Sequence, residues 1–212
     1  MVAKAAERGI PVVAVDADEP DSERTAYTGT DNLAAGAAMA ELVAEASGGA
    51  GRIGILAGTL SSDSQRLRVE GFRKSLARYP GLTVMGVRTT DISRLQAADE
   101  TGAFLSMDPP VRYIVGFSSL DGPGALDAAE RLRPASGMPV IFAFDDLPDT
   151  VAAVNQGLIR AAVVQEPRQM GREAVGLLQA ELAGQTVPER SFTPVRLLRA
   201  PSAPASPGGD RP

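Results

Sequence analysis

Five short apolar runs in this 212-residue chain are each followed closely by side chains rich in hydrogen-bonding atoms. Asp16 follows the run at 12–15, and residues 61–66, ending in Arg66, come shortly after 52–57. Ser118 and Ser119 follow 113–117, Asp145 and Asp146 follow 140–144, and Gln165 follows 161–164. Carboxylate, hydroxyl, amide and guanidinium groups in one place suit vicinal hydroxyls. A carboxylate accepts from two neighbouring OH groups, while an arginine fork donates to two oxygens. Singly, each residue has a plainer role. A strand-end Asp or Ser caps a helix or closes a turn, Arg66 suits a solvated helix face, and Ser118 and Ser119 could cap the helix beginning near Gly124. Their shared position after apolar runs is what groups them.

The elements that must hold these residues alternate. Strands are expected at 12–15, 52–57, 82–87, 113–117, 140–144 and 161–164. Helices are expected at 33–46 (capped by Thr30 or Asp31), 64–79 (capped by Asp63 or Ser64, with Leu67, Phe72 and Leu76 on one side), 93–107, 124–132, 149–155 and 168–183. Repeated strand–helix–strand spacing predicts an α/β fold of doubly wound parallel sheets, and near-continuous apolar strands fit burial on both faces. In such sheets ligands bind outside the carboxyl ends of the strands, where the grouped residues fall. Residues 200–212 (APSAPASPGGDRP) hold no large apolar side chain and are expected to be a disordered tail.

Composition removes much other chemistry. There is no histidine and no cysteine, which excludes histidine-dependent triads, thiolate nucleophiles and most transition-metal sites. A net charge of −5 argues against nucleic acid or an anionic membrane as partner, and no apolar stretch is long enough to span a bilayer. There is no P-loop. Gly116-Phe117-Ser118 begins like a nucleophile elbow, but Leu120 occupies the second glycine position. The acidic run Asp16, Asp18, Glu19, Asp21 lacks EF-hand spacing and reads as a solvated loop. Asp145 and Asp146 are adjacent, which does not suit a glycosidase pair. No catalytic residue, metal site or cofactor is expected.

The chain resembles the ribose-type periplasmic sugar-binding proteins, whose fold is shared with the effector domains of the lac-repressor family. The resemblance rests on ERGIPVVAVDAD, TGTDNLAAG, SSDSQRLRVEGFRKSL and IFAFDDLPDTVAAVNQGLIRAAVVQEPRQMG, and runs from residue 1 to about 199. It implies a two-lobe fold and sugar-binding roles for Asp16, Arg66, Asp145 and Gln165, with Ser118 at a further contact position. It also implies a monosaccharide or related polyol as ligand, the membrane permease of an ABC importer as partner, and a periplasmic location. The alternative is the ligand-sensing effector domain of a transcriptional regulator. The Gln-x-Pro form at Gln165 and the lack of a helix-turn-helix ahead of the matched region resemble the transport proteins more.

Two departures stand out. Ser118 and Ser119 replace a common Asn-Asp, and Ala17 stands where ribose binders carry arginine. The resemblance also implies crossings between lobes near Thr30, Gln165 and Pro194. Residues 31–165 with 195–199 would then form a complete C-terminal lobe, and 1–30 with 166–194 an incomplete N-terminal one. That remnant is expected to hold one main parallel strand without neighbours. Two to three βα units that family members carry before this point are missing, so the N-terminal lobe is read as truncated.

Overall fold

In the computed structural model, which describes residues 1–200, the apolar runs pair into two sheets. Residues 201–212, nearly all of the expected tail, lie outside the described residues. The larger sheet holds β3 (Ala50–Ala57), β4 (Gly81–Thr89), β5 (Tyr113–Gly116), β6 (Val140–Phe144), β7 (Ala161–Val164) and β9 (Arg196–Arg199), in the order β4-β3-β5-β6-β7-β9. Its first five strands are parallel, and β9 runs antiparallel to β7. The smaller sheet is parallel throughout, in the order β1 (Val13–Val15), β2 (Ala26–Thr30), β8 (Arg190–Thr193). Segments 1–30 and 166–194 therefore hold three strands where one main strand was expected. Periodicity could not reveal β2 (AYTGT) or β8 (RSFT), because neither is an apolar run.

Side chains of the larger sheet alternate between two cores. Ile53, Ile55, Val115, Phe117, Phe142, Phe144 and Val163 pack with α2 (Asn32–Ser47) and α3 (Asp63–Leu76). Leu56, Ile114, Ile141, Ala143, Ala162 and Val164 pack with α4 (Arg94–Leu105), α5 (Asp121–Leu132) and α6 (Pro148–Asn155). Helices thus cover both faces, the doubly wound arrangement. The chain moves outward from β3 to β4, then returns to place β5 on the other side of β3. Reversal of direction under a fixed crossover hand puts α3 and α4 on opposite faces. It also leaves a topological switch point at the carboxyl ends of β3 and β5. On the smaller sheet, α7 (Pro167–Leu182) lies against β1 and β2. It leaves Val175 and Leu182 exposed, and β1 has an unpaired outer edge among the described residues. The chain crosses between sheets three times: from β2 to α2, from β7 to α7 and from β8 to β9. A further short helix, α1 (Val2–Ala6), precedes β1.

The feature that shapes the site is the approach of α2 to α3. A β-carbon added to Gly36 would stand 2.0 Å from the Arg68 carbonyl oxygen, and one added to Gly71 would stand 2.1 Å from that of Leu33. Two glycines, one on each helix, let the backbones touch and bring Arg68 beside Asn32. Elsewhere in a helix Gly→Ala gains about 1 kcal/mol of propensity. Here both clashes are with backbone, and overpacking of about 1–3 kcal/mol outweighs that gain. Gly71→Ala should therefore lower the thermal midpoint by several degrees. An unchanged or raised midpoint in a melting experiment would contradict the close approach.

Candidate functional site

Helix α3 turns one face inward, carrying the buried residues Gln65, Arg68, Val69, Phe72 and Leu76. Their spacing is helical, and Arg68 sits among apolar neighbours two residues, or about 200°, away from Arg66. Arg66 accordingly points outward. Its side chain is 51% exposed and pairs with Asp63 at 2.7 Å and Glu70 at 3.7 Å. The arginine that reaches the strand ends is Arg68. The expectation that Arg66 converges with the other four residues is corrected on this point, and the inward face is not that of Leu67. The signal was present in the sequence: Arg68 is in phase with Phe72 and Leu76.

Arg68 is 5% exposed and held from several directions. Its Nε donates to Asn32 Oδ1 at 2.8 Å, Nη1 to the Phe117 carbonyl at 2.9 Å and Nη2 to Gln165 Oε1 at 3.0 Å. The guanidinium carbon lies 3.9 Å from the Phe144 ring centroid, a stacking contact that suits a flat, weakly hydrated cation. Burial pushes the Arg68 pKa down, and the charges of Asp145 and Asp16 push back. Three of its five N–H donors have these partners.

Gln165 follows β7 at the second crossing and joins three residues. Its Oε1 accepts from Thr30 Oγ1 at 2.9 Å as well as from Arg68, and its Nε2 donates to Asp145 Oδ1 at 3.1 Å. The Thr30 contact ties the second crossing to the first, and Thr193 Oγ1, donating to the Gly29 carbonyl at 3.3 Å, ties in the third. Asn32 Nδ2 donates to the Thr30 carbonyl at 3.2 Å. Thr30 and Asn32 were not among the expected site residues. Asp145, Gln165 and Arg68 thus form one bonded unit. Ser118 adjoins it, one residue beyond the carbonyl that Arg68 grips, and its hydroxyl is buried without a hydrogen-bond partner among the described residues.

Asp16 stands on the opposite side. It follows β1, its N–H donates to the Thr28 carbonyl at 3.0 Å, and its own carbonyl accepts from the Tyr27 hydroxyl at 3.0 Å. With Ala17, Tyr27, Arg190 and Phe192 it lines one wall of a cleft of about 570 Å³, whose other wall includes Asn32 and Ser61 to Ser64. Of the acidic run, Asp18 is taken up by the buried Arg24, which bonds both its carboxylate oxygens. Among the described residues no cluster of three or more acidic side chains is arranged to hold a metal.

The backbone marks the same edge. Among the described residues five non-glycine residues have positive φ. Arg133 caps α5, and the other four come after strands: Asp16 (67°), Asp91 (48°), Ile92 (54°) and Asp145 (64°). Aspartate tolerates this region, but for a β-branched isoleucine it is an outlier, and such strain runs to about 1–3 kcal/mol per residue. Ile92 lies across Gly58, where an added β-carbon would meet its Cγ1 at 2.6 Å. Nothing in the sequence pattern announced Asp91 and Ile92, because a left-handed turn at isoleucine has no compositional cue.

A profile described as "Periplasmic binding protein domain" matches residues 1–186. The chain is 25% identical over 197 residues to the ribose import binding protein RbsB of Escherichia coli, covering 93% of this chain and 66% of that protein. It is 31% identical over 157 residues to a xylitol-binding protein of Mycolicibacterium smegmatis, covering 74% of this chain and 44% of that one. The chain therefore spans less than two thirds of the length of these two curated relatives. The crystal structure of GanP, a glucose-galactose binding protein from Geobacillus stearothermophilus, superposes with a TM-score of 0.88 at 34% identity, over 96% of this chain and 72% of that chain.

The geometry has two measurable consequences. Arg68→Ala strands the acceptors on Asn32, Phe117 and Gln165 and should destabilise the fold by about 3–5 kcal/mol, whereas Arg66→Ala should leave the urea midpoint almost unchanged. Equal effects would refute the assignment of Arg68 as the inward arginine. The second concerns Asp145, whose carboxyl is pushed up, chiefly by burial, while the Gln165 hydrogen bond and the Arg68 charge pull it back. The folded chain therefore holds this proton longer than the unfolded chain. The contribution to stability is present below the ordinary value of 3.8 and is lost as pH rises through the raised one. Asp145→Asn should flatten that decline in denaturation series run from about pH 4 to pH 7. An identical pH profile would show that Asp145 is not the source.

Proposed function

The chain belongs to the periplasmic binding protein domain family, and from that premise we propose that it is the solute-binding component of an ABC-type sugar importer. The ligand is a monosaccharide or related polyol, taken between the segments 1–30 with 166–194 and 31–165 with 195–199. The protein binds and releases without chemistry, works in the periplasm, and delivers its ligand to a membrane permease. Arg68 takes the role first read for Arg66, and Asp16, Ser118, Asp145 and Gln165 keep theirs.

The observation that carries this reading is the bonded unit of Arg68, Gln165 and Asp145 beside the crossings between the two sheets. Arg68 keeps two N–H donors beyond its three internal bonds. The Asp145 carboxylate has both the amide and the backbone N–H of Gln165 beside it, and its remaining lone pairs are acceptor sites open to a ligand. A spare donor fork near a spare acceptor matches a diol, whose hydroxyls each donate and accept. Because the donors are fixed by Asn32, Phe117 and Phe144, little ordering remains to be done when the ligand arrives. The three crossings are where a hinge would act, so closure would bring Asp16 toward this unit. The relatives named for ribose import and xylitol binding favour transport over a regulatory effector role.

A thermal-shift screen over pentoses, hexoses and polyols tests the proposal. A true ligand at 100 times its dissociation constant adds about 2.7 kcal/mol, a rise of roughly 5–10 °C for a chain of this size. Asp145→Ala should weaken binding of the responding sugar by about 2 kcal/mol, since a charge-assisted bond is lost. No response to any sugar or polyol, or a response that Asp145→Ala leaves intact, would overturn the assignment.

A further inference from the structure

One buried acid has no part in the ligand-facing unit. Asp121 opens α5 and is completely buried. Its Oδ2 accepts from the backbone N–H groups of Ser118 at 2.8 Å and Phe117 at 3.1 Å, and its Oδ1 accepts from Thr90 Oγ1 at 2.6 Å. The Ser118 hydroxyl lies near the same carboxylate but lacks hydrogen-bond geometry to it. Thr90, itself fully buried, donates its N–H to the Ala57 carbonyl at 2.9 Å, and Asp91 donates to Gly58 at 2.8 Å. The Phe117 N–H also reaches the Leu56 carbonyl at 3.0 Å. One carboxylate thereby connects the ends of β4, β3 and β5, which are the strands that border the switch point. An added β-carbon on Gly116 would stand 2.5 Å from Asp121 Cβ, so the turn after β5 is packed directly on this side chain.

The turns it joins are the ones under strain or short of partners. The β4–α4 turn holds Asp91 and Ile92 at positive φ, and the β5–α5 turn holds Ser118. Left-handed isoleucine persists only where surrounding bonds over-determine the backbone, and the residue just before that pair is bonded to Asp121. Burial opposes the ionised form of Asp121, with the Thr90, Ser118 and Phe117 bonds acting the other way. A buried carboxylate is a poor filler of space, and its three donors are what it serves.

We propose that Asp121 is a positioning residue: it locks the β4–α4 turn to the β5–α5 turn, so that Ser118 and the Asp91–Ile92 pair are set in place before any sugar binds. The consequence for affinity rests on the proposed sugar-binding function; the locking itself does not.

The test uses the whole chain with Asp121→Ala, Asp121→Asn and Thr90→Val, read in two ways. Amide hydrogen exchange without ligand should quicken about tenfold at Ser118 in Asp121→Ala, relative to amides of β6, for loss of its bond to the carboxylate, whereas Phe117 keeps its bond to Leu56. Asp121→Asn keeps an oxygen for both N–H groups and should restore protection. The dissociation constant of the responding sugar should rise about tenfold in Asp121→Ala and recover in Asp121→Asn. If Asp121→Ala does not fold, Thr90→Val, which removes one hydroxyl, should quicken exchange at Asp91 and weaken the sugar in the same sense. Unchanged exchange at these amides overturns the locking. Quickened exchange with unchanged affinity overturns the positioning role. Should no sugar bind the parent chain, the transport reading falls, and the exchange result still decides the lock.

Discussion

A guanidinium out of water must find its partners inside the protein, and the region where the two sheets meet is organised around meeting that demand for Arg68. Removing such an ion from solvent costs several kcal/mol even after relaxation. The compensation comes from elements far apart in sequence: the amide of Asn32 on α2, the carbonyl of Phe117 at the end of β5, the amide of Gln165 after β7 and the ring of Phe144 at the end of β6. Asp145 and Asp16 supply the opposing charge. None of these contacts is local. Each depends on α3 lying close enough to α2 and to the sheet, which Gly36 and Gly71 permit.

The two halves joined at this region are unequally built. The larger sheet is sealed by helices on both faces and buries most of the large side chains, including Phe72, Phe104, Phe117, Phe142 and Phe144. The smaller sheet has three strands, and two exposed apolar residues on α7 remain without cover. The two are joined by three short crossings tied together by the Thr30–Gln165 side-chain bond and by the Thr193 hydroxyl donating to the Gly29 carbonyl. Bonds between hydroxyls and amides can be exchanged with modest loss, which would suit the hinge that the proposed function calls for, whereas packed aromatic side chains cannot rearrange so easily.

Strain and electrostatics meet at the same edge. Three aspartates and one isoleucine with left-handed backbone all come after strands. Two of the aspartates, Asp16 and Asp145, are ones whose charge acts on Arg68. A left-handed residue turns the chain sharply out of the strand, and aspartate tolerates that conformation better than most side chains. The deeper carboxylate, Asp121, uses the same chemistry on the backbone, accepting from the N–H groups of Phe117 and Ser118, whereas the proposed function has Asp16 and Asp145 accept from a ligand.

The α/β alternation, the doubly wound sheets and the positions of Asp16, Ser118, Asp145 and Gln165 after strands were legible in the residue order alone. Apolar runs bounded by turn residues report burial directly, and a residue placed just after a parallel strand must lie at its carboxyl end. Strands β2, β8 and β9 were not legible as apolar runs, since their pairing rests on backbone bonds that any side chain permits. Nor was the choice between Arg66 and Arg68 made by position in a motif. Two residues along a helix is more than half a turn, so one arginine meets water and the other meets Phe144. Sequence determined which residue types stand at the sheet's edge. The phase of Arg68 with Phe72 and Leu76 hinted at the inward arginine, but the packing of α3 on α2 decided what it meets, because direction around a helix acquires meaning when a neighbour fixes its rotation.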